Sequence, residues 1–534
     1  MEQGRDSESL FKRSDIPIRP LSRQLPYSDI SIERPGWSTL LILAGVLTTL
    51  GLSLPVGYNI GVVNTPAEVI KNFCQEAIKE RYSTSVTFYQ LDLIWSSIVA
   101  IFLVGAAIGS LGGSVLADKI GRKGVLFVCS ILGTLAAAVF VSSRPLMSIE
   151  LLFLGRLLIG LCSGLTTSVV PMYLTELAPL ELRGSTGVLC PLGVTIGVLA
   201  GQIVSMRDLL GNYNYWPHCI AAYVIPLILC ALLLPILPES PKYLFVIKNE
   251  HHKAFQQLKK LRNIGEDSLS AEIEELKKEQ LDNEKNIGAN WNIGRVVTDR
   301  SLLLPLLLVC FLQAGQQLSG INAVFFYSTE IFHVAGLSDQ ESELATIGSG
   351  LCNCFMAILS IWTMSAFNRR LCILISTATS AAFLVLLGIS IMYINSYSFV
   401  PYLSIVGVLG FVLSYGIGLG PIPYFVGSEL FEVGPRPSAM ALGSMSNWSG
   451  NFVIGLTFPI MQYYIGPASF FLFALIVIGL FAFVSYYLPE TRGRDIKEIV
   501  ELCNRGLYSK PLQSRISASS PESQKMNCYR NGVL

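Results

Sequence analysis

Among the carboxamide side chains within long apolar runs of this 534-residue chain, six are candidates for binding a ligand: Gln316, Gln317, Asn322, Asn353, Asn447 and Asn451. A carboxamide donates and accepts hydrogen bonds without carrying a charge. In a membrane helix such a group can bond to a neighbouring helix, or it can bind a neutral ligand that bears hydroxyl groups. Gln316 and Asn322 lie six residues apart, so we expect them to share one cavity if their helix is locally irregular. We interpret the amides as a candidate ligand site.

A second group of chemically active residues is charged and occurs twice, in the same order, at offsets of 247 to 253 residues. Its members are Arg122, Lys123, Glu176, Arg183 and Glu239 in the first copy, and Arg369, Arg370, Glu429, Arg436 and Glu490 in the second. Ordinary anchoring of cytosolic loops explains the arginines but not the carboxylates, which contribute little to membrane topology. We therefore predict ion pairs between helix ends that latch the cytosolic side in the outward-facing state. A latch must break, so we expect its members to be partly hydrated.

Glycines and prolines interrupt another apolar run at Gly416-Ile-Gly-Leu-Gly-Pro-Ile-Pro423. Proline removes a backbone donor and glycine removes a stiffening side chain, so the helix should break here. We predict a mobile hinge made by Gly418, Gly420, Pro421 and Pro423, with a static kink as the alternative.

The elements that must position these groups are membrane helices. The chain is 51% hydrophobic and 14% charged, whereas soluble proteins carry about 25% charge. No Asp, Glu, Lys or Arg occurs between Arg370 and Glu429 or between Arg436 and Glu490, and each gap holds two helices of roughly 20 residues. Twelve spans are predicted, at 38–63, 93–116, 125–143, 150–173, 187–205, 217–237, 302–330, 344–365, 371–393, 400–428, 437–462 and 467–488.

The predicted fold class is an all-α integral membrane protein with twelve transmembrane helices in two six-helix pseudo-repeats. The predicted parts are a cytosolic N-terminal segment (1–37), a first half (38–237), a cytosolic helical linker (238–300), a second half (301–488) and a cytosolic tail (489–534). With both termini inside, 32 of the 38 Lys and Arg residues fall in cytosolic segments, as the positive-inside rule requires. The tail after about residue 508 is Ser/Pro-rich and is predicted to be disordered.

Four motifs carry a family resemblance: Asp118–Lys123 after the second span, Pro238–Lys242 after the sixth, Gln316–Asn322 in the seventh and Gly434–Pro437 before the eleventh. They resemble the sugar porters of the major facilitator superfamily, and within these the animal facilitative glucose transporters, over about residues 38 to 495. The resemblance implies a sugar site between the two halves. It adds Tyr424 and Trp448 to the six amides as sugar contacts, although an aromatic belt at the membrane interface also explains these two rings.

Asn59 bears on energy coupling, because proton-linked sugar porters resemble this segment but carry Asp there. Asn does not titrate, and the core of the first span contains no Asp or Glu, so we predict downhill uniport. Four positions depart from the family pattern: Pro191 replaces a sugar-contacting Gln, Gly416 a Glu and Tyr424 a Trp, and Ser365–Arg370 lacks an acidic residue and the first Arg of the usual loop. The fourth departure predicts a weaker latch on the second half.

The resulting prediction is a hexose uniporter of the plasma membrane that works by alternating access, with D-glucose as the favoured substrate. The alternatives are a proton–sugar symporter, a carrier of fructose or another polar solute, and a non-transporting sugar sensor. A membrane enzyme is disfavoured because no nucleophile–base pair or metal cluster is visible. The predicted partners are a sugar and the lipid bilayer. The net charge of +1 argues against nucleic acid, and no cofactor or metal is expected.

Overall fold

The computed structural model describes residues 37–179, 182–262, 269–289, 293–394, 396–397, 399–432, 434–492, 494, 496–503 and 506–509. The N-terminal segment and the Ser/Pro-rich tail lie outside these residues, apart from a few at their inner ends. All the regular structure in the described part is helical.

The first half contains six membrane helices and one helix outside them. They are α1 (Thr39–Gly61), α2 (Ala67–Tyr82), α3 (Phe88–Ile120), α4 (Arg122–Ser143), α5 (Ile149–Leu177), α6 (Leu189–Val204) and α7 (Trp216–Ile236), with α2 in the long connection between α1 and α3. The Thr87 and Gln90 side chains form a capping box that starts α3. Close approach of α3 to α5 depends on small residues: a Cβ on Gly160 would lie 2.2 Å from the Phe102 carbonyl oxygen.

Three helices, α8 (His251–Arg262), α9 (Ser270–Ala289) and α10 (Ile293–Thr298), fall within the predicted linker. They give this segment the helical character that was predicted for it. Arg262 of α8 donates to the Leu177 carbonyl at 2.7 Å, so this region packs on the end of α5.

The second half repeats the six spans with two of them broken. Its helices are α11 (Leu303–Leu318), α12 (Ile321–Val334), α13 (Asp339–Ala366), α14 (Arg369–Met392), α15 (Val400–Ile417), α16 (Ile422–Leu430), α17 (Arg436–Ile465), α18 (Ala468–Tyr487) and the short terminal α19 (Ile496–Cys503). The seventh span is α11 with α12, and the tenth is α15 with α16.

Eleven spans of the described residues are long and apolar enough to cross a membrane. The eleventh predicted span, α17, is 30 residues long but is not among these eleven, and it carries polar side chains along its length, among them Asn447 and Asn451. It packs on α11 within its own half and on α3 of the other half. Its polar residues therefore face protein rather than lipid, as intramembrane polar residues usually do.

Two pairs of helices join the halves along their length, α3 with α17 and α6 with α13. We call the end of the bundle that carries α8–α10 the linker face. The opposite end, which carries α2 and the α12–α13 connection, is the distal face.

Candidate functional site

The seventh span breaks between two of the predicted site residues. Gly320 separates α11 from α12 and has a φ of +87°, a conformation that glycine adopts readily. A Cβ there would lie 2.5 Å from a carbon of the Phe473 ring. The break supplies the local irregularity on which the expectation of a shared cavity depended. It brings the Asn322 amide against Gln317, where Asn322 Nδ2 donates to Gln317 Oε1.

The tenth span is broken at the predicted hinge residues. Pro423 has no N–H, so the Leu419 carbonyl loses its usual helical donor. Gln316 replaces that donor: its Nε2 lies 3.0 Å from the Leu419 oxygen and 2.7 Å from the Gly420 oxygen. Gly418 allows the broken segment to approach α14, since a Cβ at this position would lie 2.6 Å from the Cys372 carbonyl oxygen. The break is present as predicted, and its mobility stays a prediction.

Asn447 of α17 connects the two broken helices. Its Nδ2 donates to Gln316 Oε1 at 2.7 Å and to Gln313 Oε1 at 2.8 Å, while its Oδ1 accepts from Gln317 Nε2 at 3.1 Å. The structure therefore brings Gln316, Gln317, Asn322 and Asn447 into one buried hydrogen-bonded group. Both the ligand-site and the inter-helix interpretations of these amides predicted such a cluster.

Gln313 belongs to this group although the sequence reasoning did not select it. It is 4% exposed, and its Nε2 donates to the Pro423 carbonyl at 2.9 Å. The signal was available in the sequence, because Gln313 precedes Gln316 by three residues and residues at this spacing share a helix face.

The other four predicted contacts lie around this group. Asn451 is buried one turn beyond Asn447, and its Oδ1 has no hydrogen-bond partner among the described residues. Asn353 is half-buried on α13, across the interface with α6. Tyr424, at the start of α16, is 56% exposed. Trp448 is half-buried against the apolar core.

Two of the positions that depart from the family pattern, Gly416 and Pro191, can be located in the structure. A Cβ on Gly416 would lie 2.4 Å from Met356 Cβ, so this glycine lets α15 approach α13 closely. Pro191 is exposed near the start of α6 and supplies no amide there.

The charged motif of the first half forms a compact cluster at the linker face. Arg122 binds Glu176 through two bonds, Nε–Oε2 at 2.9 Å and NH2–Oε1 at 3.0 Å, and its NH1 lies 3.0 Å from Asp118 Oδ1. The side chains of Arg122 and Glu176 are 6% and 8% exposed. The expectation of partial hydration is therefore wrong for this pair, because the ends of α4 and α5 exclude water from it.

Glu239 lies at the N-terminus of α4. Its carboxylate accepts from the Lys123 backbone N–H at 3.3 Å and from that of Ser240 at 2.9 Å, which places negative charge at the positive end of the helix. The Lys123 side chain turns away and donates to the Pro235 and Leu237 carbonyls at 2.8 Å each. Burial raises the pKa of the Glu239 carboxyl group, and the two backbone donors oppose that rise.

The second half reproduces this arrangement. Glu490 accepts from the backbone N–H groups of Arg369 at 2.9 Å and Arg370 at 3.2 Å, at the N-terminus of α14. Arg369 Nε lies 3.5 Å from Glu429 Oε1, with side-chain exposures of 17% and 26%. The distance between the charged atoms is longer and the side chains are more exposed than in the Arg122–Glu176 pair. Both differences are consistent with the weaker latch predicted for this half.

Among the described residues, the side chains of Arg183 and Arg436, which end the repeated Glu–Arg segments, contact groups other than Glu176 and Glu429. Arg183 pairs with Glu275 of α9 at 2.9 Å. Arg436 donates to the Phe431 carbonyl at 3.0 and 3.2 Å. The residues of the predicted latch therefore form one set of contacts within each half. A further ion pair, Arg183–Glu275, joins the first half to the linker region.

Polar contacts between the halves occur at the distal face. Asn64, just after α1, donates to the Ser328 hydroxyl of α12 at 2.6 Å and accepts from the Thr329 N–H at 3.2 Å. Arg207, just after α6, forms ion pairs with Asp339 and, at 3.4 Å, with Glu343 of α13. The sequence reasoning missed this closure. The ion pairs of the linker face, which were predicted to latch an outward-facing state, are present in a structure whose distal face is closed by these contacts.

Arg156 is the charged residue nearest to Asn59. It is 3% exposed within α5, and its NH1 donates to the Asn59 carbonyl at 2.8 Å. Its guanidinium also lies 4.6 Å from the centre of the Phe102 ring. The Asn59 side chain donates to the Pro55 carbonyl at 2.9 Å. Backbone carbonyls and an aromatic ring thus surround this cation.

Residues 45–502 match the family model described as Sugar (and other) transporter. The chain belongs to this sugar transporter family. It is 38% identical over 468 residues to facilitated glucose transporter member 1 of Gallus gallus, covering 87% of this chain and 94% of that protein. It is 39% identical over 465 residues to member 4 of Homo sapiens, covering 86% and 90% respectively, and 36% identical over 471 residues to member 5 of Mus musculus, covering 88% and 93%.

Solved structures agree on the fold. A partially occluded inward-open form of the xylose transporter XylE from E. coli has a TM-score of 0.71 at 22% identity, covering 86% of this chain and 100% of that one. The fucose:proton symporter FucP of E. coli has a TM-score of 0.51 at 14% identity, covering 84% and 99% respectively. The sugar transporter is thus a multi-pass membrane protein of the major facilitator fold, and the family consists of transporters rather than enzymes.

Proposed function

We propose that this sugar transporter is a uniporter for a hexose, with D-glucose as the first candidate. The observation that carries the proposal is the cluster of uncharged side-chain amides that joins α11, α12 and α17. Neutral amides match hydroxyl groups that both donate and accept. They also release a sugar without leaving an ion unpaired. The names of the relatives above, facilitated glucose transporters, support the same reading.

The sugar contacts that we propose are Gln316, Gln317, Asn322, Asn353, Asn447 and Asn451, with Tyr424 and Trp448 as aromatic neighbours. Of these six amides, Gln316 is the one that the described residues show bonded directly to the break in the tenth span. In the part of the chain that the structure describes, Asn451 Oδ1 is buried without a hydrogen-bond donor, which costs free energy unless a ligand supplies one. A sugar hydroxyl is a suitable donor.

Uniport rests on Asn59 and Arg156. A proton-coupled carrier needs a titratable group whose protonation changes sugar affinity and conformation together. Where proton-linked relatives carry Asp, this chain carries an amide, and its neighbouring cation is held by backbone carbonyls. A proton symporter is therefore the disfavoured alternative.

Alternating access would exchange the distal-face contacts of Asn64 and Arg207 for contacts at the linker face. We propose that the distal face is extracellular, that the linker and both termini are cytosolic, and that the membrane is the plasma membrane. The division at residues 237/238 and 300/301 into two halves and a linker belongs to the same proposal, as does a gate made of the linker-face clusters.

Pro191, Gly416 and Tyr424 favour one further candidate, a carrier of fructose or another small polar solute. Uptake of a panel of labelled sugars by cells that lack other sugar transporters, with and without a protonophore, tests both. Saturable glucose uptake that the protonophore leaves unchanged is the expected result. Preference for another solute supports the further candidate, and binding without any flux would indicate a sugar sensor.

A further inference from the structure

The amides of the seventh and eleventh spans form one continuous chain of hydrogen bonds that ends on the hinge. Asn322 donates to Gln317, Gln317 donates to Asn447, and Asn447 donates to both Gln313 and Gln316. These two glutamines then donate to three backbone carbonyls of the broken tenth span, those of Leu419, Gly420 and Pro423. Every bond in the chain has the same direction.

The hinge sets that direction. A backbone carbonyl only accepts, so Gln313 and Gln316 must turn their NH2 groups toward α16 and their oxygens toward α17. Asn447 then has to present its NH2 group to both oxygens, which leaves its own oxygen for Gln317. Each amide in such a chain polarises the next, so a change at one end alters the bonds at the other.

Gln313 holds a special place in this chain. It spans from Asn447 to Pro423, which lies beyond the break, whereas Gln316 binds carbonyls within the break itself. Gln313 is 4% exposed, and both ends of its side-chain amide are engaged within the protein: its oxygen accepts from Asn447 and its nitrogen donates to the Pro423 carbonyl. Its bonds tie the second segment of the tenth span to an amide of the sugar site.

We infer that Gln313 is a positioning residue that couples occupancy of the sugar site to movement of the tenth span through the Asn447 amide. The inference rests on the proposed function, because it takes the ligand of the amide group to be a sugar. When a sugar bonds to Gln317 and Asn447, the bonds from Asn447 to Gln313 and on to Pro423 are altered. The loaded carrier therefore moves its hinge more readily than the empty one.

Two flux measurements isolate this coupling. Equilibrium exchange of labelled glucose requires only the loaded carrier to reorient, whereas efflux into sugar-free medium also requires the empty carrier to return. The ratio of the two maximal rates reports how strongly occupancy speeds reorientation. Because rates are normalised to the same protein in the same proteoliposomes, loss of folded protein does not change the ratio.

Gln313→Met keeps the side chain at a similar volume and removes both of its hydrogen bonds, the one from Asn447 and the one to the Pro423 carbonyl. We expect the ratio to fall about two- to tenfold, the effect of one net hydrogen bond on a barrier. Gln313→Asn, one methylene shorter, keeps an amide that cannot reach both partners, and it serves if the Met variant does not fold. The matched control is Gln462→Met, which replaces a half-buried glutamine of α17 that lies outside the chain of amides.

A lower ratio of exchange to efflux in both Gln313 variants, with the control unchanged, supports this coupling role of Gln313, which we call the relay. An unchanged ratio, or a ratio near one in the unmutated protein, overturns it even when glucose is transported normally. Absence of hexose flux in the unmutated protein overturns the proposed function itself, and the relay with it.

Discussion

Arg122 and Glu176 form a buried two-bond ion pair at 2.9 and 3.0 Å, and Arg369 and Glu429 occupy the equivalent places in the second half at 3.5 Å. The repeat is thus visible in the contacts as well as in the sequence. The two copies differ in burial, and their energetic contributions should differ accordingly.

Arg122→Ala should destabilise the protein more than Arg369→Ala does. Removal of Arg122 leaves Glu176 buried without its cation, which costs about 3–5 kcal/mol. The Arg369 pair is more exposed, and exposed pairs contribute about 1 kcal/mol or less. Thermal unfolding in detergent, followed by fluorescence-detected size exclusion, measures the difference. Equal losses in the two variants would mean that burial does not set the strength of these pairs.

Gln317→Leu should remove most glucose uptake while the protein still reaches the cell surface. The substitution deletes an amide of the proposed site, and each lost hydrogen bond to sugar costs on the order of 1 kcal/mol or more. Gln316→Leu is the informative comparison, because it leaves the Leu419 and Gly420 carbonyls of the hinge without their donor and should lower the amount of folded protein as well. Normal uptake per surface molecule in Gln317→Leu would show that this amide is structural.

Asn59→Asp should not make transport concentrative. One new carboxylate adds a titratable group but not the linkage of protonation to both affinity and conformation. Sugar accumulation in proteoliposomes under an imposed pH gradient measures this, with the unmutated protein as control. Accumulation by the unmutated protein that a protonophore abolishes would contradict uniport and require another proton carrier.

Asn64→Ala should shift the protein toward the form that is open at the distal face. The substitution removes the buried bonds to Ser328 and Thr329, and each net hydrogen bond is worth about 0.5–1.5 kcal/mol, or about a two- to tenfold change in population. Arg207→Ala should act in the same direction but less, because the Arg207 side chain is 38% exposed. Access of a membrane-impermeant thiol reagent to a cysteine placed between the halves reports the shift. Greater protection in either variant would reverse the assigned role of these contacts.

Much of the fold follows from local patterns. Twelve spans were predicted from the distribution of apolar and charged residues. The eleventh lies in the stretch between Arg436 and Glu490, which has no charged residue and is long enough for two helices, although its helix carries several polar side chains. Pro421 and Pro423 predicted the break in the tenth span because a missing N–H acts on the chain's own neighbours. The break in the seventh span was expected only conditionally, since Gly320 alone does not show whether a helix bends there.

The sequence by itself determined the membrane class, the repeat, the amide-rich spans and the family, because these depend on composition and on spacing along the chain. The tertiary structure alone decided the partners. It placed Arg183 on Glu275 of the linker region, joined Asn64 to Ser328 across 264 residues, and made Gln313 the tie between Asn447 and Pro423. Such contacts depend on how helices rotate and cross in the bundle, because shifting one residue along a helix turns its side chain by about 100°. No periodicity along the chain specifies which face of one helix meets which face of another.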